Sequence, residues 1–158
     1  MQITLENDGN VPVRVSYDNL MLVAPDHTVY KALPPFQIEG EATKTIGIVP
    51  LYPSSHFLYA PYFSTYISGA TIYPGVFPYD RVYWQRYARV LREVDLPSAD
   101  MLRKALPEGV LMPGGKVSGF VYFPGVGDDV ERVRLRAVLV DANSGQKLAS
   151  PSIPFVVG

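Results

Sequence analysis

The side chains able to do chemistry are few. His27 and His56 are the only histidines in the 158 residues, and there is no cysteine. The missing thiol excludes a disulfide framework, a thiolate metal site and a cysteine nucleophile. A hydrolytic triad needs an imidazole beside a poised serine and a carboxylate. The nucleophile-elbow pattern Gly-x-Ser-x-Gly does not occur; in Gly115-Lys116-Val117-Ser118-Gly119 the serine stands one place late. A phosphate loop needs glycine six places before its lysine and serine or threonine after it. Around Lys116 those places hold Val110 and Val117, and Pro113 interrupts the run. His27 lies in a turn and His56 in an aromatic loop, where each is read as a turn or packing residue.

Charged groups offer little more. Asp128, Asp129 and Glu131 cluster after Gly125-Val126-Gly127, and hard cations favour several oxygens on a tight loop. Their spacing is not that of a calcium loop, so a solvated hairpin is the expectation. Arg132, Arg134 and Arg136 alternate along one strand. Such a stripe can grip phosphates, but with no aromatic residues interleaved it is expected to pair with facing acids and keep the surface soluble. A hydrolase would have only a carboxylate pair such as Asp80 and Asp95 to work with, and no motif surrounds it. No catalytic residue, cofactor or metal ligand is assigned, and the expected class is not an enzyme. Net charge is −1, from 14 basic and 15 acidic residues, which points away from nucleic acid.

The middle of the chain is unusual. No Asp, Glu, Lys or Arg lies between Lys44 and Asp80, and eight of the 11 tyrosines fall from Tyr52 to Tyr87. Pro50, Pro53, Pro61, Pro74 and Pro78 break the stretch, which argues against an unbroken membrane-spanning helix. Tyrosine combines apolar area with a polar tip and suits interfaces. Two readings follow: these rings fold over the domain as a second small core, or part of them stays exposed. The candidate binding face is Tyr52, Phe57, Tyr59, Tyr62, Phe63, Tyr66, Tyr73 and Phe77.

On either side of this segment the pattern has period two. In Val11 to Tyr17 the odd positions are apolar or aromatic, after the turn signal Asn7-Asp8-Gly9-Asn10. Leu20 to Val23, a return at Thr28-Val29-Tyr30, and Lys44 to Val49 give further strands. Val117, Gly119, Val121 and Phe123 share a face, as do Val133, Leu135, Ala137 and Leu139 opposite the arginines. Ile153, Phe155 and Val157 form the inward face of a last strand. The core expected is Val13, Val15, Val121, Phe123, Leu135, Leu139 and Phe155. An amphipathic helix is expected from Tyr79 to Val94, with Tyr83, Tyr87, Val90, Leu91 and Val94 on its apolar face and Arg81, Arg89 and Arg92 opposite. A second short helix runs from Pro97 to Leu106 and ends at Pro107-Glu108-Gly109.

Two stretches carry a resemblance. Ile3-Thr4-Leu5-Glu6-Asn7-Asp8-Gly9-Asn10-Val11-Pro12-Val13 is a strand, an Asn-x-Gly turn and a strand resuming at a small-Pro-Val step. Leu111-Met112-Pro113-Gly114-Gly115-Lys116-Val117-Ser118-Gly119-Phe120-Val121-Tyr122-Phe123 is a Pro-Gly turn followed by a Gly-x-x-x-Phe strand. Both resemble the immunoglobulin-like, telokin-like domains of bacterial cell-envelope proteins. The resemblance implies an exported, adhesive or structural setting and no catalytic residue. Met1-Gln2-Ile3-Thr4-Leu5 reads as a strand and not as a leader, so either the setting is cytoplasmic or a leader has been removed.

The expectation is one mainly-β domain, an immunoglobulin-like β-sandwich of about seven strands from residues 1–49 and 110–158. The aromatic loop and two helices, residues 50–109, are inserted between its halves. The function expected is a non-enzymatic cell-envelope module that binds a protein or glycan or holds an assembly together. The alternative is a peripheral membrane protein whose basic helix 79–94 lies in anionic headgroups. The sequence sets neither the partner nor the oligomeric state.

Overall fold

Alternating apolar and polar residues fold into strands, and the computed structural model is mainly β. It describes residues 1–35, 38, 56–61, 67, 69–75, 77, 80–88, 101 and 104–157. The strands are β1 (Gln2–Glu6), β2 (Val13–Val15), β3 (Leu20–Val23), β4 (Val29–Lys31), β5 (Phe57–Tyr59), β6 (Gly109–Leu111), β7 (Lys116–Phe120), β8 (Arg132–Ala137), β9 (Leu139–Asp141), β10 (Lys147–Ala149) and β11 (Ser152–Val156). An α-helix, α1, spans Arg81–Ala88, and a 3-10 turn spans Tyr17–Asn19. The named strands pair antiparallel in three sheets: β1–β7, β10–β9–β2–β6–β5 and β11–β8–β3–β4.

Local chemistry decides where the chain changes sheets. The turn Asn7 to Asn10 does not close a hairpin, because β1 pairs with β7 while β2 pairs with β6 and β9. Asn7 organises this crossing from a buried position. Its Nδ2 donates to the carbonyls of Val11 and Leu111, both at 2.9 Å, and its Oδ1 accepts from the Gly9 amide at 3.1 Å. A second crossing comes at Val138, whose amide bonds to the Asn19 carbonyl at 2.8 Å. Val133, Leu135 and Ala137 are buried opposite the exposed Arg132, Arg134 and Arg136, as the alternation requires. Leu139 does not continue that face. It begins β9 in the five-stranded sheet and is half-buried.

The core gathers residues from both halves and from the middle of the chain. Val15, Tyr17, Leu20, Phe57, Tyr59, Phe77, Tyr83, Leu106, Val110, Leu111, Val117 and Val121 belong to one buried cluster. Phe57–Tyr59 is an edge strand of the five-stranded sheet, so this part of the expected insertion is integral to a sheet. Gly109 allows it: a Cβ there would collide with the Leu58 carbonyl oxygen and the Phe57 ring. Gly119 meets the same constraint on β7, where the backbone of Leu106 lies against it and the Leu106 amide bonds to the Phe120 carbonyl at 2.9 Å. A smaller cluster of Leu22, Val133 and Leu135 is backed by half-buried Phe123 and Phe155. Of the expected core, Val13, Val15, Val121 and Leu135 are buried, whereas Phe123, Leu139 and Phe155 are only partly covered.

Helix α1 is fastened at its first turn. Asp80 Oδ1 accepts from the amides of Val82 at 2.9 Å and Tyr83 at 3.1 Å, the bonding of an N-cap. Its Oδ2 accepts from Arg14 of β2, whose guanidinium also lies 5.0 Å from the Phe77 ring centroid. Burial raises the Asp80 carboxyl pKa, but the Tyr83 amide, the Arg14 guanidinium and the Val82 amide together hold it below the ordinary carboxylate range. Tyr83 is buried edge-to-face on Phe77, with centroids 5.1 Å apart. Trp84, Val82 and Arg81 are exposed. The apolar face expected of this helix therefore points inward at Tyr83; Val90, Leu91 and Val94 lie outside the described residues, as do most of the expected second helix and the expected strand from Lys44 to Val49. Among the described residues no helix is long and apolar enough to cross a membrane.

Two predictions follow from packing and charge. Leu135→Ala should cost about 2–3 kcal/mol, the low end for a buried leucine, because its cluster is small and half-open. Leu111→Ala, in the main core, should cost more, about 3–5 kcal/mol, in urea unfolding. Asp80→Asn keeps a capping oxygen but removes the charge opposite Arg14, and should cost on the order of 1–2 kcal/mol at pH 7. A carboxyl whose folded pKa is depressed stabilises above its unfolded pKa, near 4, and that contribution fades as pH falls through the lower folded value. The stability gap between the wild type and Asp80→Asn should thus close below about pH 4, and a gap unchanged down to pH 2.5 would refute the ion-pair account.

Candidate functional site

The site begins with the direction of hydrogen bonds on β1. Met1 exchanges bonds with Val121, and the Asn7 amide bonds to the Gly115 carbonyl at 3.0 Å. In register between them, Ile3 faces Gly119 and Leu5 faces Val117. In an antiparallel pair every second residue is the bonded one, so odd residues of β1 turn their backbone groups to β7 and Gln2, Thr4 and Glu6 turn theirs away. Among the described residues no strand lies on that outer side. Three amides and three carbonyls form a free edge about 17 Å long.

The last strand presents a second free edge with a different composition. Val157 bonds to the Glu131 carbonyl and Ala137 to that of Pro151, so Ser152, Pro154 and Val156 of β11 face outward along the strand plane. Pro154 has no amide to offer, a common way to blunt an edge. The β1 edge has no such block.

Between the two runs an apolar groove of about 620 Å³. It touches Ile3 and Leu5 as well as Gln2, Thr4 and Glu6, so it follows the edge of β1 and not just one face. Its floor is Val13, Leu20, Leu111, Leu135, Ala137 and Leu139, and its far wall is Leu148, Pro151, Ile153 and Phe155. Register places Ile153 and Phe155 on the inward side of β11, opposite buried Leu135 and Val133. Ile153 nevertheless stays 51% exposed and Leu148 45% exposed. The inward side of the last strand is covered only in part: Phe155 and Val157 are half-buried against the small cluster, while Ile153 stays exposed. Polar groups are confined to the β1 rim, where Glu6 is paired with Lys116 and Thr4 shares a hydrogen bond with Ser118 at 2.7 Å.

The aromatic candidates lie elsewhere. Phe57, Tyr59 and Phe77 are not a surface: all three are buried in the main core, Phe77 completely, with Phe57 and Tyr59 edge-to-face at 4.8 Å. The pairing of β5 with β6 draws them in. Tyr73 is half-buried against the same cluster. Tyr52, Tyr62, Phe63 and Tyr66 lie outside the described residues, as does Asp95. Asp80 is occupied as a cap and ion-pair partner. His27 and His56 are exposed turn residues with positive φ, 69° and 62°.

Asp128, Asp129 and Glu131 are exposed, and among the described residues no group of His, Asp and Glu is placed to hold a metal ion. The arginine stripe does not pair with facing acids. On the outer face of its sheet, Arg134 stands between Val23 and Pro154, Arg136 between Met21 and Ser152, and Arg132 beside Val156. Lys31 flanks Met21 on the same face.

The groove itself left a trace in the sequence. The final strand is apolar at Ile153, Pro154, Phe155, Val156 and Val157 in succession, more than one buried face requires. Comparison with known proteins finds no match for this chain, whether among protein-family models, curated proteins or solved structures.

Proposed function

We propose that this chain is a non-enzymatic binding module. Its fold is an immunoglobulin-like sandwich left open along one side, and the groove beside β1 takes an extended apolar segment of a protein partner. One observation carries the reading: an unblocked strand edge and an apolar groove run side by side. An incoming strand would bond to Gln2, Thr4 and Glu6 while its alternate side chains enter the groove, the logic of strand addition. A glycan fits less well, because the floor and far wall are apolar with Phe155 as their one aromatic ring, and the polar groups stand only along β1 and the turn after it. Burial of Tyr83 weighs against a helix 79–94 lying in a lipid layer, since this residue of its expected apolar face packs on Phe77 in the core. Engagement of Asp80 weighs against a hydrolase built on that carboxyl. The exported, cell-envelope setting is part of the same proposal and rests on the sequence resemblance.

The test is selection from a displayed random heptapeptide library, followed by amide chemical-shift mapping of the winners. Selected peptides should alternate apolar and polar residues and should shift Gln2, Thr4 and Glu6. Ile153→Glu, at a half-exposed position, should leave the melting temperature nearly unchanged and weaken binding about tenfold or more by burying a charge against the peptide. Recovery of no alternating sequence, or equal binding by Ile153→Glu, would sink the proposal.

A further inference from the structure

The outer face of the β11–β8–β3–β4 sheet carries Arg132, Arg134, Arg136 and Lys31, and by register no carboxylate. Arg136 donates from Nε to Ser150 Oγ at 3.0 Å. Among the described residues, the side chains of Arg132 and Arg134 make neither an ion pair nor a hydrogen bond. Both line a cavity of about 740 Å³ at the end of the sheet where the β3–β4 turn brings in His27. The opposite lining is apolar and includes Val23, Pro25 and Val156, the last 80% exposed. No acidic residue lines this cavity. Asp26, Asp129 and Glu131 line a separate cavity of about 430 Å³ that shares Arg132. Both carboxylate oxygens of Asp26 are taken by Thr28, at 2.9 and 2.7 Å.

We infer that the cavity between Arg132, Arg134 and His27 binds an amphiphile with a phosphate or carboxylate head on an aliphatic body. Alternate residues of one strand stand about 6.6 Å apart on the same face, so two guanidiniums can close on one acidic head from either side. Guanidinium offers several donors in a plane and suits such oxygens. The body follows from the rest of the lining. An inorganic anion would leave Val156 and its neighbours bare. An uncharged hydrocarbon would strip water from two cations and give nothing in return. A single-stranded nucleic acid would want a run of stacking rings, and this lining offers only Phe155 and His27 beside its aliphatic groups. The head and body can belong to a free amphiphile or to a lipid in a bilayer. This inference does not depend on strand addition at the groove along β1, although Phe155 borders both the groove and this cavity.

The probes are decyl phosphate below its aggregation concentration, inorganic phosphate, and phosphatidylcholine vesicles with and without phosphatidic acid. Calorimetry with the full chain should show saturable one-to-one binding of decyl phosphate, and at least about tenfold weaker binding of inorganic phosphate. The double variant Arg132→Gln/Arg134→Gln changes only exposed side chains, so it should melt like the wild type and lose binding about tenfold or more. Arg136→Gln, along the same row, and Ile153→Glu, in the groove, should each bind within about twofold of wild type. Co-sedimentation with phosphatidic acid vesicles, lost in the double variant, assigns the site to a bilayer lipid; its absence alongside decyl phosphate binding assigns it to a free amphiphile. The inference is overturned if neither decyl phosphate nor the acidic vesicles bind, if inorganic phosphate binds as tightly as decyl phosphate, or if Arg136→Gln loses as much as the double variant.

Discussion

A carboxyl group sits at the centre of this protein. Glu108 is 1% exposed, and its Oε1 accepts from Ser16 Oγ at 2.9 Å and from the Tyr17 amide at 3.0 Å. Burying a carboxyl without such partners costs several kcal/mol, so the donors must be in place when the core closes. Ser16 and Tyr17 follow directly on β2, while Glu108 leads into β6, and the two strands are neighbours in the five-stranded sheet. The Glu108 carbonyl accepts from the Ala60 amide at 2.8 Å, just beyond β5. One residue thus joins three strands. Tyr17 strengthens the junction through its hydroxyl, which donates to the Leu106 carbonyl at 2.6 Å. The middle of the chain is held to the two β segments by this polar knot and by the Arg14–Asp80 pair, around which the aromatic rings pack.

That anchoring is one-sided, and the groove is its consequence. Glu108, Asn7 and the aromatic cluster draw β2, β5, β6 and β7 together. The opposite flank, where β10 and β11 end the chain, has no comparable polar tie among the described residues. There Leu22, Val133 and Leu135 form a small cluster of their own, backed by rings that stay half-exposed. The chain passes from the four-stranded to the five-stranded sheet at Val138, and beyond that crossing Ile153 and Leu148 line the groove and stay about half exposed.

Many of the strands were legible in the sequence but not their partners, and β5, β6 and β10, which lack a clear alternation, were not expected. Alternation in Arg132 to Ala137 gave the burial of every residue there, because a half-buried strand has no other stable arrangement. The same alternation carried falsely through Leu139, since no glycine, proline or turn residue marks the change of sheet at Val138. Tyr and Phe side chains in an uncharged stretch suit either a core or an interface. What decided for Phe57 and Tyr59 was a bare glycine far along the chain, Gly109, which lets β5 approach. Glu108 was hidden in a Pro-Glu-Gly turn signal, where a buried carboxyl and a solvated one look alike. For the candidate site, the free β1 edge was beyond reach of sequence, because which residues bond outward depends on register. The doubly apolar last strand was visible and lacked only an explanation.

That strand joins the two surfaces. A strand apolar on both faces is normally buried on both. In β11 the alternation divides the set: Ile153 lines the groove, Pro154 and Val156 line the cavity beside the arginines, and Phe155 borders both. Neither face is fully covered, and the edge between them is blunted by Pro154. Exposed apolar area of this kind invites indiscriminate pairing, and a proline at the free edge limits the partners that can add there. The unblocked edge is on β1, across the groove. Strand addition is thereby directed to one side of the groove, and the outer face of β11 is left to ligands that need no backbone pairing at all.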